Sequence, residues 1–286
     1  MKITVLSFVF FIAGTARGQY YYNDIVSTLE TNQQMQVWRN NKVRLITATG
    51  YDANGTRSTN FSEVREIKDN GRTLKVSTHN GGYLSVYYNR YDEKGRLTNS
   101  TDSSLNSIGS STTYNYDAAG RITEIKTVLS DPGSSFEKTE QHLWKYNTAG
   151  QPDKMWRVIN GRDSLEIRFE ADEKGNPGEE VLYKWGEESS RIYYYYDDKR
   201  NVTDIVRFNE KVKKLLPDVM FTYDESGQLI QKVSTTGTDN LGKIKWVGYI
   251  IWRYIYNDKG LKTKEALFDK DQELTGKIEY SYQFFQ

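Results

Sequence analysis

Two histidines, His79 and His142, and no cysteine bound the chemistry open to this 286-residue chain. Without thiols there is no disulfide scaffold, no thiolate metal site and no cysteine nucleophile. Neither imidazole has a partner at ligand spacing such as His-x-x-x-His, so both read as sheet or surface residues. Gly-x-Ser-x-Gly nucleophile motifs and phosphate-cradling glycine loops are absent. Asp269-Lys270-Asp271-Gln272-Glu273 alternates oxygen-bearing side chains as a calcium loop does. It lacks the turn glycine and the distal glutamate, and reads as a solvated hairpin turn. No cofactor-binding pattern emerges.

Glycoside hydrolysis needs only two carboxylates. Glu179-Glu180 and Glu187-Glu188, flanking Tyr183 and Trp185, are the densest acidic clusters. Neighbours on a strand point to opposite faces, so neither pair works as a couple. Glu180 and Glu188 are the two a hairpin would bring together, but Gly186 and the surrounding charges mark an exposed turn there.

The aromatic set has more reach. Six Trp and 22 Tyr offer stacking platforms for sugar rings or anchors for another protein, and Trp144, Trp156, Tyr183, Trp185, Trp246 and Trp252 are the candidates. The competing use is a buried ladder, in which stacked rings supply the core that scarce aliphatics do not. With 37% hydrophobic and 27% charged residues, the composition implies thin layers and much exposed sheet. Length alone allows one large or two ordinary domains.

Residues 1–18 have the export pattern: Lys2, an apolar run from Ile3 to Gly14, then Ala16 and Gly18 at the small positions before a cut ahead of Gln19. The run is too short to span a bilayer, and no later stretch supplies a transmembrane helix. The formal charge is +1, and loss of Lys2 and Arg17 leaves the remainder near neutrality. Nothing in that balance calls for nucleic acid. The expected destination is exported: periplasm, outer-membrane surface or extracellular space.

The elements that would position these residues are set by a repeat. Tyr91-Asp92-Glu93-Lys94-Gly95-Arg96-Leu97 returns as Tyr116-Asp117-Ala118-Ala119-Gly120-Arg121-Ile122 and as Tyr223-Asp224-Glu225-Ser226-Gly227-Gln228-Leu229. Worn copies bring the glycine-equivalent positions to 55, 71, 95, 120, 150, 175, 200, 227 and 260. Asp first and Gly fourth suit a type I turn closed by a left-handed residue and a bulge. Asp92, Gly95, Asp117, Gly120, Asp224 and Gly227 are therefore structural turn residues. Flanking aromatics alternate, as in Tyr114/Tyr116 and Trp252/Tyr254/Tyr256, which is the strand period. Nine turns predict on the order of 18 strands in an antiparallel meander.

The motif Tyr-x-Tyr-Asp-x-x-Gly-Arg-[Leu/Ile], complete at Tyr114 to Ile122, resembles the YD repeat of the RHS and teneurin families, over roughly residues 45–265. The resemblance implies successive hairpins building a long curling sheet. The leader followed by Tyr20-Tyr21-Tyr22 resembles small exported members from Bacteroidetes-type bacteria. Ahead of the repeats, Asp24 is placed to cap a helix carrying Ile25, Val26, Leu29, Met35 and Trp38 and ending at Asn40-Asn41. This helix is expected to cover the first hairpin.

The expected organisation is a leader (1–18), an N-terminal cap (19–44) and a YD-like β-hairpin repeat domain (45–286). The fold class is all-β: an elongated or curled antiparallel sheet, as far as a partial barrel or shell. Charges on both faces at Glu137, Lys138, Glu140 and Lys145 weigh against a lipid-facing barrel. The expected function is non-catalytic binding or scaffolding of a protein or glycan partner at the bacterial envelope. The alternatives are a carbohydrate-active enzyme with paired carboxylates in a curled sheet, and a small shell enclosing a client. Oligomeric state is not set by the sequence.

Overall fold

The computed structural model describes residues 20–103, 109–131, 133–210, 212–235 and 248–286; the leader at 1–18 and Trp246 lie outside them. The fold is all-β with one N-terminal helix. The strands form an antiparallel meander that follows sequence order.

The chain divides into two compact bodies. The first holds residues 60–190 with 20–47 and 282–286. It contains helix α1 (Asn23–Asn40) and strands β3 (Thr73–Asn80), β4 (Tyr83–Tyr91), β5 (Leu97–Asp102), β6 (Gly109–Tyr116) and β7 (Ile122–Ser130). It continues through β8 (Glu137–Tyr146), β9 (Pro152–Ile159), β10 (Asp163–Ala171) and β11 (Pro177–Lys184). The second holds 48–59 and 191–281, with β13 (Val202–Asn209), β14 (Lys214–Tyr223), β15 (Leu229–Thr235), β16 (Tyr249–Tyr256) and β17 (Lys262–Phe268). Strands β1 (Val43–Asp52), β2 (Arg57–Lys68), β12 (Glu187–Tyr196) and β18 (Leu274–Phe284) carry residues of both.

One turn shows why the motif is written as it is. The Asp117 N–H donates to the Arg121 carbonyl at 2.9 Å, and the Gly120 N–H donates to the Asp117 carbonyl at 3.0 Å. The Asp117 carboxylate accepts from the Arg121 N–H at 2.9 Å and from Arg121 Nε at 2.7 Å. Gly120 holds φ +83°, the left-handed region that disfavours a Cβ. A bulge between Asn115 and Tyr116 then sets Tyr116 opposite Ile122. The same shift precedes Tyr91, Tyr146, Tyr196, Tyr223 and Tyr256.

The motif tyrosine locks neighbouring repeats. Tyr116 Oη donates to the Leu97 carbonyl and Tyr146 Oη to the Ile122 carbonyl, both at 2.7 Å. Tyr223 and Tyr256 do the same to Val202 and Leu229 at 3.0 Å. In each case the acceptor is the residue two past the preceding turn's glycine position. Arg96 and Arg121 complete the link, each lying 4.7 Å over the next motif tyrosine, Tyr116 and Tyr146.

Three expectations need correction. The glycine positions do not form one series: the turn at Gly55 enters β2 and the turn at Gly71 leaves it, so they sit at opposite ends of one strand. Their 16-residue step is one strand rather than a strand pair. The helix also does more than cover the first hairpin. At ~1.5 Å per residue its length matches about six strand spacings of ~4.8 Å. Its tethers run from Leu97 at β5, whose N–H donates to the Asn32 side-chain Oδ1 at 2.8 Å, to Glu180 on β11. Asp24 does not cap it; residue 22 holds the N-cap position, and the Asp24 carboxylate points into the sheet.

Candidate functional site

Pairing of β8, β9, β10 and β11 sorts the candidate residues onto two faces of the first body. Trp144, Met155, Ile167 and Leu182 are successive cross-strand partners, so they share the inner face. Trp144 is buried and stacks on Phe169 at 5.2 Å, inside a cluster with Tyr21, Ile122, Ile125, Met155 and Ile167. Trp144 is therefore a core residue and not a binding aromatic. Burial of each such large side chain is worth about 1.5–3 kcal/mol.

The outer face gathers another row. Trp156 and Tyr183 are both cross-strand partners of Glu166, one on each side. Lys145 lies 5.0 Å over the Trp156 ring and Arg168 lies 4.2 Å over the Tyr183 ring. Both rings are half-buried. Beyond them, Trp185 forms the β11–β12 tip with Gly186 and is 91% exposed. Trp185 has φ +55° and Gly186 φ +85°, a two-residue turn whose first position ordinarily takes Asn, Asp or Gly. Lys184 sits 4.4 Å over the indole. In the second body, Trp252 is half-buried with Lys232 6.0 Å over its ring.

The inner face holds a charged network that the sequence concealed. His142 is buried, with Nδ1 2.6 Å from an Asp24 carboxylate oxygen and Nε2 3.2 Å from Glu140. Arg157, directly opposite on β9, donates to both Glu140 oxygens at 2.7 and 3.0 Å. Burial works against the imidazolium, but the Asp24 and Glu140 carboxylates outweigh it and push the His142 pKa up to about 9. Burial also opposes ionised Glu140; hydrogen bonds from His142 and Arg157 prevail and hold it well below the usual carboxylate range. The Tyr21 ring packs edge-on to His142 at 5.4 Å, and burial raises its phenol to about 12. Among the described residues, no group of three histidine or carboxylate side chains is placed to hold a metal ion.

The paired carboxylates separate. Glu180 is fully buried and accepts the backbone N–H groups of Tyr21 and Tyr22 at 3.1 and 2.9 Å, anchoring the start of α1. Glu187 and Glu188 are exposed beside the Trp185 tip. The 269–273 run is a hairpin turn, with the Asp269 carboxylate accepting the N–H groups of Asp271 and Glu273 at 3.0 Å. No described helix is long and apolar enough to cross a membrane.

These hairpins define a β-hairpin repeat protein. Residues 91–130 match the RHS Repeat family model, and the Tyr-Asp turn carried there recurs along the chain. The Photorhabdus luminescens Tc holotoxin pore is similar at 16% identity and TM-score 0.35, over 78% of this chain and 12% of that one. A TcdB2–TccC3 structure is similar at 13% identity and TM-score 0.32, over 82% of this chain and 16% of that one. The chain thus spans a small part of both. A porin-like protein from Bacteroides uniformis is similar at 10% identity and TM-score 0.42, covering 85% and 97%. A search of curated proteins gave no match.

Proposed function

We propose that this is an exported, non-catalytic repeat protein that binds a protein or glycan partner at the bacterial envelope through the outer-face row Trp156, Tyr183 and Trp185. The observation that carries the reading is Trp185. A 91% exposed indole on a non-glycine left-handed residue contributes little burial and is conformationally unfavourable. Folding gives no reason for Trp there; recognition does, because a rigid, amphipathic ring beside a cation suits both protein surfaces and sugar rings. Lys184 at the indole, with Arg168 and Glu166 beside Tyr183, supplies mixed charge for a polar rim along the row. Export rests on the leader pattern.

The test pairs Trp185→Asn, which suits the turn, with Tyr183→Ala. Immobilised protein is screened on a glycan array and against solubilised envelope proteins, with affinity measured for what is retained. Trp185→Asn should lower that affinity at least tenfold while leaving the thermal midpoint equal or higher. Unchanged binding, or turnover abolished by one carboxylate substitution, would overturn the proposal.

A further inference from the structure

The other end of α1, in the first body, carries a feature independent of the outer-face row. A polar cleft of about 440 Å³ is lined by Arg39, Asp69, Asn70, Arg72 and Glu93. Arg39 is half-buried in the last turn of the helix, laid across two turn glycines. A Cβ on Gly71 would meet its Nε at 2.5 Å, and one on Gly95 would meet its Nη1 at 2.9 Å. Both glycines hold positive φ, so the repeat's own turn chemistry leaves the flat seat the guanidinium occupies.

The groups facing this cleft are unequally used. Arg72 is paired with Glu93 at 2.9 Å. Among the described residues, the Arg39 guanidinium makes no hydrogen bond or ion pair, and neither does the Asp69 carboxylate. Asp69 and Asn70 are exposed with φ +52° and +54°, a left-handed pair that presents both side chains at the surface. An adjoining cleft of about 380 Å³ shares Asp69 and Asn70 and adds Phe285, 42% exposed and pinned by its N–H donating to the Lys42 carbonyl at 2.7 Å.

We propose that this cleft binds a carboxylated sugar ring of the uronic acid type. The Arg39 fork matches a carboxylate in geometry and charge. Asp69 and Asn70 accept from and donate to vicinal hydroxyls, and Phe285 offers a ring face to the apolar side of the sugar. A bare anion would use only the first of these groups, and a neutral sugar would leave Arg39 unpaired.

The experiment titrates the purified protein with galacturonate, galactose, acetate and glycine, read by calorimetry and amide chemical shifts. Galacturonate should bind at least tenfold more tightly than each of the others. Arg39→Met should cost at least tenfold. Asn70→Gly, which suits the left-handed turn and keeps the fold if Arg39→Met does not, should cost severalfold, as should Phe285→Ala. Acetate or glycine binding as well as galacturonate would reduce the cleft to an anion or zwitterion site and overturn the proposal. Equal binding of galactose, or no response to galacturonate, would also overturn it. Trp185→Asn should leave galacturonate affinity unchanged, so this site and the outer-face row stand or fall separately.

Discussion

At the scale of single residues, the charged His142 between Asp24 and Glu140 makes stability depend on pH. Its folded pKa near 9 lies above the ordinary 6.5, so its contribution is complete below about pH 6.5 and is lost as pH rises through 9. Glu140 is shifted the other way, so its contribution is present above the ordinary carboxylate range and is lost in strong acid. The thermal midpoint should therefore be highest near pH 5–6.5 and fall toward pH 9. His142→Gln should cost on the order of 2–3 kcal/mol at pH 6 and far less at pH 10. A wild-type midpoint flat from pH 6 to 9 would mean the imidazole is neutral in the fold. The turn residues make a second prediction. Gly120→Val, at φ +83°, should destabilise by about 1–3 kcal/mol more than Val at the exposed Ala118. Equal unfolding midpoints would refute the turn geometry. Tyr146→Phe, which strands the Ile122 carbonyl, should cost about 1 kcal/mol in a denaturant melt.

At the scale of elements, α1 is a polar helix that buries little beyond Thr28, Met35 and Trp38 and is held by discrete tethers. Its existence was legible, because Ile25, Leu29, Met35 and Trp38 and the terminal Asn40-Asn41 are local signals. Its placement was not. The groups that fix it, Leu97, His142 and Glu180, lie 65, 118 and 159 residues from their partners, and periodicity carries no information over such separations. The hairpins were legible for the opposite reason, since Asp117, Gly120 and Arg121 complete their turn within five residues. The outer-face row was half legible: alternation separates Trp156 from its neighbours, but only the β9–β10–β11 register sets it across Glu166 from Tyr183. The tether model predicts that Glu180→Gln, which removes the charge holding the Tyr21 and Tyr22 N–H groups, loosens the N-terminus of α1 selectively. Limited proteolysis should cut within 20–42 at least tenfold faster, with circular dichroism of the strands unchanged. Cleavage at the wild-type rate would place the anchoring elsewhere.

At the scale of the whole molecule, tyrosine substitutes for the aliphatics the chain lacks. Burial raises the phenols of Tyr21 and Tyr116 to about 12 and those of Tyr87, Tyr91, Tyr114 and Tyr146 further. A raised phenol pKa contributes stability that is complete below about pH 10 and is lost as pH rises through the folded value. An ultraviolet phenolate titration should show exposed tyrosines ionising near pH 10 and a second, cooperative step beyond 12 that coincides with loss of strand signal. A single step near 10 with the fold intact would contradict the buried ladder. The link between repeats has a consequence for how such a chain changes length. At Leu97, Ile122, Val202 and Leu229 a carbonyl two residues past the turn's glycine position accepts the phenol that the following hairpin brings; Arg96 and Arg121 point the same way along the chain. Each of these four junctions thus has a plug on one side and a socket on the other, in the same order. Among them, a duplication or deletion of one whole turn-to-turn interval restores a complete junction, whereas one of partial length leaves a plug without its socket. The sheet is a polymer with a polarity, and its natural unit of growth or loss is the interval between turns.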